Sequence, residues 1–447
     1  MTPDQCPVLG WAASGGMALT GFPREAPLAA PAGSFALLQR VADGLAAVTR
    51  ALGTEVRADP AELIAARAAL VGLSRQGQLS AGGATRLLRA ADAWCAITLS
   101  RIDDIEAVPA VLGVLGLDAL APPQRPHGRG EGLDQASAAA WAALASAAGG
   151  RTAMDVTDAA QLLGLPAARL PSTLSATSWP PWRTASIAPP VRAADLRGAV
   201  VADLSSMWAG PLCAHLLGRA GARVIKVESA SRPDGARRGP PAFYDWLQAG
   251  HESLVLPFGT DRGRSLLAGL LGAADVVIEA SRPRALAQLG LAPGSLPHKD
   301  GQVWLSITGY GRDTGERVAF GDDAAVAGGL VGWARNGDPV FCADAIADPL
   351  TGVVGALAVT QSLAGGGGQL IDLSMQAVAA AFAAGGIPHH GEHQLSPDGS
   401  SVTCQALGRR QEVRPPRPPA PAPDRAAALG ADTEAIVSWL DSAQRNR

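Results

Sequence analysis

Asp348 stands in CADAIADPLTGVVGALA (342–358), directly before Pro349 and an apolar helical run that starts at about Leu350. Two roles suit an acid in that place. It can cap the helix, because a side-chain oxygen satisfies N–H groups that have no intrahelical acceptor. It can also act as a nucleophile toward an activated acyl carbon, so that one difficult transfer is divided into easier covalent steps. The helix N-terminus and nearby N–H groups would keep such a carboxylate ionised and could hold an oxyanion. A second chemical signal is Ala209-Gly210-Pro211 at the start of another helix. It is either a plain tight turn or a place where a ligand approaches backbone N–H groups closely. The run AGGGGQ (364–369) is not followed by Lys and Ser or Thr and opens no helix, so it reads as a turn. His389, His390 and His393 read as a mobile surface tract, and no metal site is expected.

These residues need elements to hold them. Gly198–Glu228 reads as a βαβ unit: a strand over Gly198–Leu204, a small-residue turn, Pro211 at the first helical position, a helix to Ala220, Gly221 as its stop, and a strand over Val224–Val227. Apolar runs around Val200, Val224, Leu254, Val276 and Val303 alternate with helical patterns. That alternation predicts an α/β fold with a Rossmann-like, doubly wound parallel sheet. Upstream, helices are expected over Ser34–Leu52 and Asp59–Leu73, the second opened by Asp59 and Pro60. Ala93–Leu99 reads as a strand, and Trp141–Ala147 and Asp158–Leu163 as short helices. Residues 179–195 are Pro-rich and read as a linker, residues 413–424 as an extended arm, and Ala427–Asp441 as a final helix. The N-terminal helices follow the same order of parts as residues 326–384, with Thr49 matching Thr360 and Gly44 matching Gly355. Either this is a degenerate internal repeat or two Ala-rich helices resemble each other by composition.

The bulk numbers narrow the class. The chain has 447 residues, 47% hydrophobic and 17% charged, with a net charge of -3. It is long enough for two or three domains and carries no basic excess for nucleic acid. No apolar run reaches membrane-spanning length, and no leader segment is apparent at the N-terminus. The five cysteines, Cys6, Cys95, Cys213, Cys342 and Cys404, are scattered and odd in number. They show no metal or disulfide spacing, so a reducing cytoplasm is expected.

The chain resembles the family III CoA-transferases (the CaiB/BaiF, formyl-CoA and carnitine CoA-transferase family). The resemblance begins with Asp203, Leu204, Ala209, Gly210, Pro211, Gly221, Ala222 and Val224–Glu228. It continues through DVVIEASRPRALAQLGL (275–291), SITGYG (306–311), DAIADPLTGVVGALA (344–358) and LGADTEAIVSWL (429–440), over roughly 250 residues. It implies CoA transfer between an acyl-CoA and a carboxylic acid through an aspartyl mixed anhydride and thioester, with Asp348, Thr351 and Gly352 matching the catalytic motif. It implies CoA contacts at Trp208, Ala209, Leu256, Phe258, Ala280, Ser281 and Arg282, and a substrate loop at Gly82 and Gly83. Coenzyme A enters as substrate, with no tightly bound cofactor, and the assembly is a homodimer. Four parts follow: a degenerate half-copy with a small domain (1–178), the linker (179–195), the large domain (196–386), and the C-terminal arm and helix (387–447). The family's small domain follows the catalytic-aspartate region; here the matching segments precede the large domain.

This sequence departs from the family at three places. Gly250-His251-Glu252-Ser253 replaces a basic Gly-Lys-Arg-Ser, and Gln288 replaces an arginine. In GDDAA (321–325), Asp322 replaces the histidine that the family's racemases use as a base. The first two departures make a non-catalytic structural or regulatory subunit the alternative; the third ranks a racemase below transfer. In the half-copy, gap-free pairing puts Leu37 at the place of Asp348.

Overall fold

The computed structural model describes residues 6–29, 31–117, 131–174, 179–192, 195–314, 316–385, 391–422 and 424–445. The N-terminal segment is helical: α1 (Pro7–Ser14), α2 (Ala32–Ala51) and α3 (Pro60–Val71). Asp59 accepts the Ala61 N–H at the head of α3, Pro60 takes the first position, and Gly72 ends it in the left-handed region. A small domain follows. Its strands β1 (Thr85–Arg89), β2 (Trp94–Thr98) and β3 (Ala167–Arg169) form an antiparallel sheet. Helices α4 (Ile102–Val114), α5 (Glu131–Gly149) and α6 (Ala153–Leu162) cover one face through Ile97, Val108, Leu144 and Val156.

The large domain carries β4 (Trp182–Ser186), β5 (Val200–Asp203), α7 (Ala209–Arg219), β6 (Arg223–Glu228), α8 (Pro241–Gln248), β7 (Glu252–Val255), α9 (Asp261–Ala273), β8 (Val276–Glu279), α10 (Pro283–Gln288) and β9 (Val303–Thr308). Next come α11 (Gly321–Ala327), the hairpin β10 (Gly332–Trp333) and β11 (Pro339–Val340), α12 (Ala347–Ala364), β12 (Gln369–Ser374) and α13 (Met375–Ala383). A ribbon of β13 (His393–Leu395), β14 (Ser401–Cys404) and β15 (Arg409–Glu412) and helix α14 (Thr433–Arg445) complete the chain.

The main sheet has the order β4-β12-β9-β8-β5-β6-β7, parallel except for β4. Strands buried on both faces read as continuous apolar runs, which is why Val200–Ala202 and Val276–Ile278 show no alternation. One face packs on α7, α8 and α12, backed by the N-terminal helices, through Val201, Ile278, Leu305, Leu212 and Val353. The other packs on α9, α10 and α14 through Ala202, Leu254, Leu267, Leu286 and Ile436. The free face of the small sheet, Leu87, Ala96 and Ala168, lies against Val326 of α11. Helix α2 packs along α12, with Leu357 directly beside Gly44, and Thr49 and Thr360 each donate to the carbonyl four residues back.

Three sequence expectations are corrected here. Part of the proposed linker is strand β4, which pairs antiparallel with β12 and covers an edge that would otherwise present unpaired N–H and C=O groups. Helix α7 starts at Ala209, so Pro211 is its third residue; first-turn N–H groups have no intrahelical acceptor, and none is lost there. The last helix begins at Thr433, six residues later than Ala427, and Leu429 stays exposed. The Asp432 carboxylate and the Thr433 hydroxyl instead accept the N–H groups of Ser253 and Val255, which caps the other edge of the sheet.

The sequence departure at 251–252 acquires a structural reason in the same place. Glu252 forms a two-point ion pair with Arg223 (both contacts 2.7 Å), and Arg223 lies over the ring of Trp439 on α14. His251 is buried and bonded to Gln248. This segment is used to dock the C-terminal helix.

Candidate active site

The family-like opening of the large domain is a buried ionic scaffold. Lys226 is 2% exposed and contacts Asp203 (3.3 Å), Asp234 (3.1 Å) and the carbonyl of Ser205. Burial pulls its pKa down, but Asp203 and Asp234 outweigh that and keep it charged. Glu228 holds Arg237 at 2.6 Å and accepts the Asp234 N–H. Asp234 in turn accepts the Met207 N–H and fixes the turn before α7, where Met207 has φ 72°. Trp208 follows, buried, with its ring edge-on to Phe243. Its indole N–H has no partner among the described residues.

The second half of the site is the turn into α12. Ala343 (φ 52°) and Ala345 (φ 42°) lie in the left-handed region. With Met207 they are the non-glycine residues of positive φ among the described residues, and all three flank one place. Such strain persists only where the surroundings impose it, and it concentrates at functional sites. Residues 343–345 are held from distant parts of the chain: the Thr20 hydroxyl accepts the Ala343 N–H, and Arg67 of α3 pairs with Asp344 at 2.6 Å. The Asp322 carboxylate accepts the Ala345 N–H.

Asp348 is the second residue of α12; the cap position is Ile346, and no side chain caps that helix. Its carboxyl takes the backbone N–H of Gly321. A Cβ at Gly321 would collide with Asp348 Oδ2 and with the Ala345 carbonyl, so this approach requires glycine. Burial pushes the Asp348 pKa up to about 7; Arg67 pulls against that, and Asp322 and Asp344 add to it. Asp322 is pushed to about 6 and Asp323 to about 8, both mainly by burial. Thr85 donates to Asp322 (3.3 Å) and Thr98 to Asp323 (3.2 Å), so the small sheet supplies the hydroxyls that line the carboxylates. One turn beyond Asp348 the buried Thr351 hydroxyl has no partner among the described residues. A partly desolvated carboxylate, a cation beside it and two unpartnered donors can together activate and hold an acyl group.

The sequence-predicted positions fall in three groups. Gly82 sits beside Arg67 Nη2 (3.7 Å from a Cβ placed there) and Asp344, while a Cβ at Gly83 meets open space. Trp208 lies 5.4 Å below the Arg67 guanidinium, and Ala209 packs against Gly352 of α12. Ala280, Ser281 and Arg282 follow β8. Arg282 lines a cavity of about 360 Å³ with Arg101, Gln161, Gly164, Arg284 and Glu316, between the small domain and the sheet. Leu256 and Phe258 pack into the hydrophobic layer under α9 and α14, on the other face of the sheet from α12. Sequence reasoning missed Arg67, Thr20, Thr85 and Asp344 as site residues. Nothing local marks Arg67, which sits in an ordinary Ala-rich helix.

His393 lies in β13, while His389 and His390 fall outside the described residues. Cys6, His393 and Cys404, which the sequence does not group, converge in space. They are far apart in sequence, so no spacing motif reveals them.

The doubly wound sheet with a carboxylate at the head of α12 defines a class, and comparison with known proteins identifies it. The sequence profile of CoA-transferase family III matches residues 196–438, and the chain belongs to that family. It is 32% identical over 218 residues to the succinate–glutarate CoA-transferase of Agrobacterium fabrum, covering 44% of this chain and 54% of that protein. It is 32% identical over 174 residues to the human succinyl-CoA:glutarate CoA-transferase, covering 35% and 39%. Among solved structures, a CaiB/BaiF family protein from Brucella suis is 31% identical, covering 42% of this chain and 55% of that one, with a TM-score of 0.39. The chain spans about half the length of the curated relatives it matches.

Proposed function

We propose that this protein transfers CoA from an acyl-CoA to a free carboxylic acid, with Asp348 as nucleophile. The observation that carries this reading is the Asp348 carboxylate itself: inside the first turn of α12, free of capping duty, held against Gly321 N–H and flanked by Arg67. In the first step the carboxylate attacks the thioester carbonyl and expels the CoA thiolate, leaving an aspartyl–acyl anhydride. The thiolate then attacks the aspartyl carbonyl, which releases the donor acid and leaves an aspartyl–CoA thioester. The acceptor carboxylate attacks that thioester and expels the thiolate again. Attack of the thiolate on the acceptor's acyl carbon yields the new acyl-CoA and regenerates Asp348.

The arginine-lined cavity supports a place for the phosphate-bearing end of CoA. Burial lowers the Arg282 pKa, Arg284 lowers it further, Glu316 pulls it back up, and Arg101 adds to the lowering. Arg101 and Arg284 are paired with Asp104 and Glu316, and Asp103 also lines the cavity, so Arg282, which makes no ion pair among the described residues, is the cation an anion would meet there. Trp208, Ala209, Ala280 and Ser281 would line the path, and the Gly82–Gly83 loop would cover the acyl group. Leu256 and Phe258 would act through their backbone. In the same reading residues 1–178 are a degenerate copy with its small domain, 179–195 join it to the large domain 196–386, and 387–447 form the closing arm. The functional unit is a homodimer, working in the cytoplasm. The non-catalytic subunit remains the second reading, because Glu252 is tied to the C-terminal helix through Arg223 and Trp439, His251 is buried against Gln248, and the corner that a Lys-Arg pair would hold is occupied.

Incubation with a panel of acyl-CoA donors and carboxylic acids tests the proposal. CoA exchange with at least one pair, and a covalent adduct at Asp348 trapped by hydroxylamine or borohydride, are expected. No exchange and no adduct across the panel would favour the subunit reading. Light scattering of the same sample should give twice the chain mass. Gly321→Ala displaces the carboxylate from its N–H and should lower kcat by about 100-fold, since misplacement near 1 Å costs that much. Unchanged kcat would detach Gly321 from the chemistry.

A further inference from the structure

At the start of α1, three side chains with metal-type donor atoms from two distant parts of the chain meet. Cys6 is the cap residue of α1, and His393 and Cys404 are directly opposed partners across the β13–β14 ladder. Cys6 Sγ lies 3.1 Å from His393 Nε2, and the three donor atoms all fall within 4.8 Å of one another. Cys6 and Cys404 are 3% and 0% exposed, while His393 is half-buried and opens to solvent. Further along α1, the Arg414 N–H donates to the Ala12 carbonyl and ties the helix to the chain that leaves the ribbon.

We propose that Cys6, His393 and Cys404 bind a zinc-class divalent cation that staples the start of the chain to the β13–β14 ribbon. Two thiolates and an imidazole are the donor set such a cation prefers over magnesium or calcium. Zinc bonds of about 2.3 Å to sulfur and 2.0–2.1 Å to nitrogen at a tetrahedral angle place the sulfurs about 3.8 Å apart and each about 3.6 Å from the nitrogen. The Cys6–His393 spacing of 3.1 Å is shorter than its target and the other two are no longer than 4.8 Å, so side-chain movements of up to about 1 Å complete the site. A water entering from the His393 side takes the fourth position. Binding exchanges two thiol protons for the cation, with no change of oxidation state. The staple would hold α1, which packs on α2, and α2 lies along α12. It thus steadies the scaffold behind Asp348 without touching substrate. This inference is independent of the transferase reading.

The full chain, purified with reductant and chelator and then freed of both, is titrated with Co²⁺ and then Zn²⁺. One equivalent of Co²⁺ should give a thiolate-to-cobalt charge-transfer band and an intense tetrahedral visible envelope, and Zn²⁺ should bleach both. Zn²⁺ should also raise the melting temperature by several degrees, as any ligand that binds only the native state does. Cys6→Ser should remove most of the charge-transfer band. His393→Gln changes a half-buried side chain and keeps the ribbon foldable; it should weaken binding at least about tenfold. Cys95→Ser, in the small-domain core, should change neither. No thiolate-to-cobalt band in the native chain overturns the proposal, as does undiminished binding by Cys6→Ser and His393→Gln. A Cys6–Cys404 disulfide in the natively purified protein, read as a two-proton mass difference on reduction, overturns it as well.

Discussion

Asp348→Asn is expected to abolish CoA transfer, with kcat falling on the order of 10⁴-fold or more, because an amide forms no anhydride. The same substitution should stabilise the fold at alkaline pH. The Asp348 pKa is raised to about 7 in the folded chain, chiefly by burial. A carboxyl whose folded pKa exceeds its unfolded value favours folding below the unfolded pKa and opposes it increasingly as pH rises through the folded one. At pH 8 the carboxylate is therefore a burden that Asn lacks, by up to about 4 kcal/mol, or a few degrees in Tm for a chain of this length. At pH 5 the unfolded carboxyl is already ionised while the folded one is not, so the gap should shrink to about 1–2 kcal/mol, and it should close as pH falls to about 4. For the wild-type enzyme the nucleophile must be ionised, so kcat/KM should rise about tenfold per pH unit up to a limb near 7. An active Asp348→Asn enzyme would remove Asp348 from the mechanism. Equal destabilisation at both pH values would show that the carboxyl is structural.

Arg67→Met should have the second largest effect, on stability and on the pH profile together. Asp344 is 1% exposed and loses its 2.6 Å partner, and an uncompensated buried carboxylate costs about 3 kcal/mol or more. The guanidinium's stacking on Trp208 (5.4 Å) and Phe243 (5.7 Å) is lost as well. Because Arg67 is what draws the Asp348 pKa down against burial and two acids, its removal should move the activity limb to higher pH. The double variant Arg67→Met, Asp344→Asn removes the orphaned charge and should recover most of the stability. It should not return the limb to 7, since the cation is still missing. A limb unmoved in Arg67→Met would mean that the N-terminal helix contributes packing alone.

That coupling places residue 67 and residue 348 in one electrostatic unit, although they lie in the two halves of the chain. The hydroxyl ligands Thr20, Thr85 and Thr98 also come from before residue 179, and the carboxylates from after residue 320. Each half alone leaves unpaired buried groups, which gives the two halves a reason to remain joined.

Much of this was legible in the amino-acid sequence because it is encoded by near neighbours. The βαβ unit from Gly198 to Glu228 follows from a short apolar run, a small-residue turn and a positive-φ glycine. Asp348 at the start of a helix follows from Pro349 and the apolar periodicity behind it. These signals repeat every two or every three to four residues, so a local window contains them. What only the tertiary structure decided are pairings between residues hundreds of positions apart. Arg67 meets Asp344, Cys6 meets His393, strand β4 leaves the linker to cover β12, and Asp432 caps β7. The partners of a buried charge or an open sheet edge are set by which surfaces pack together. That depends on the sum of many apolar contacts, and no single spacing along the chain records it.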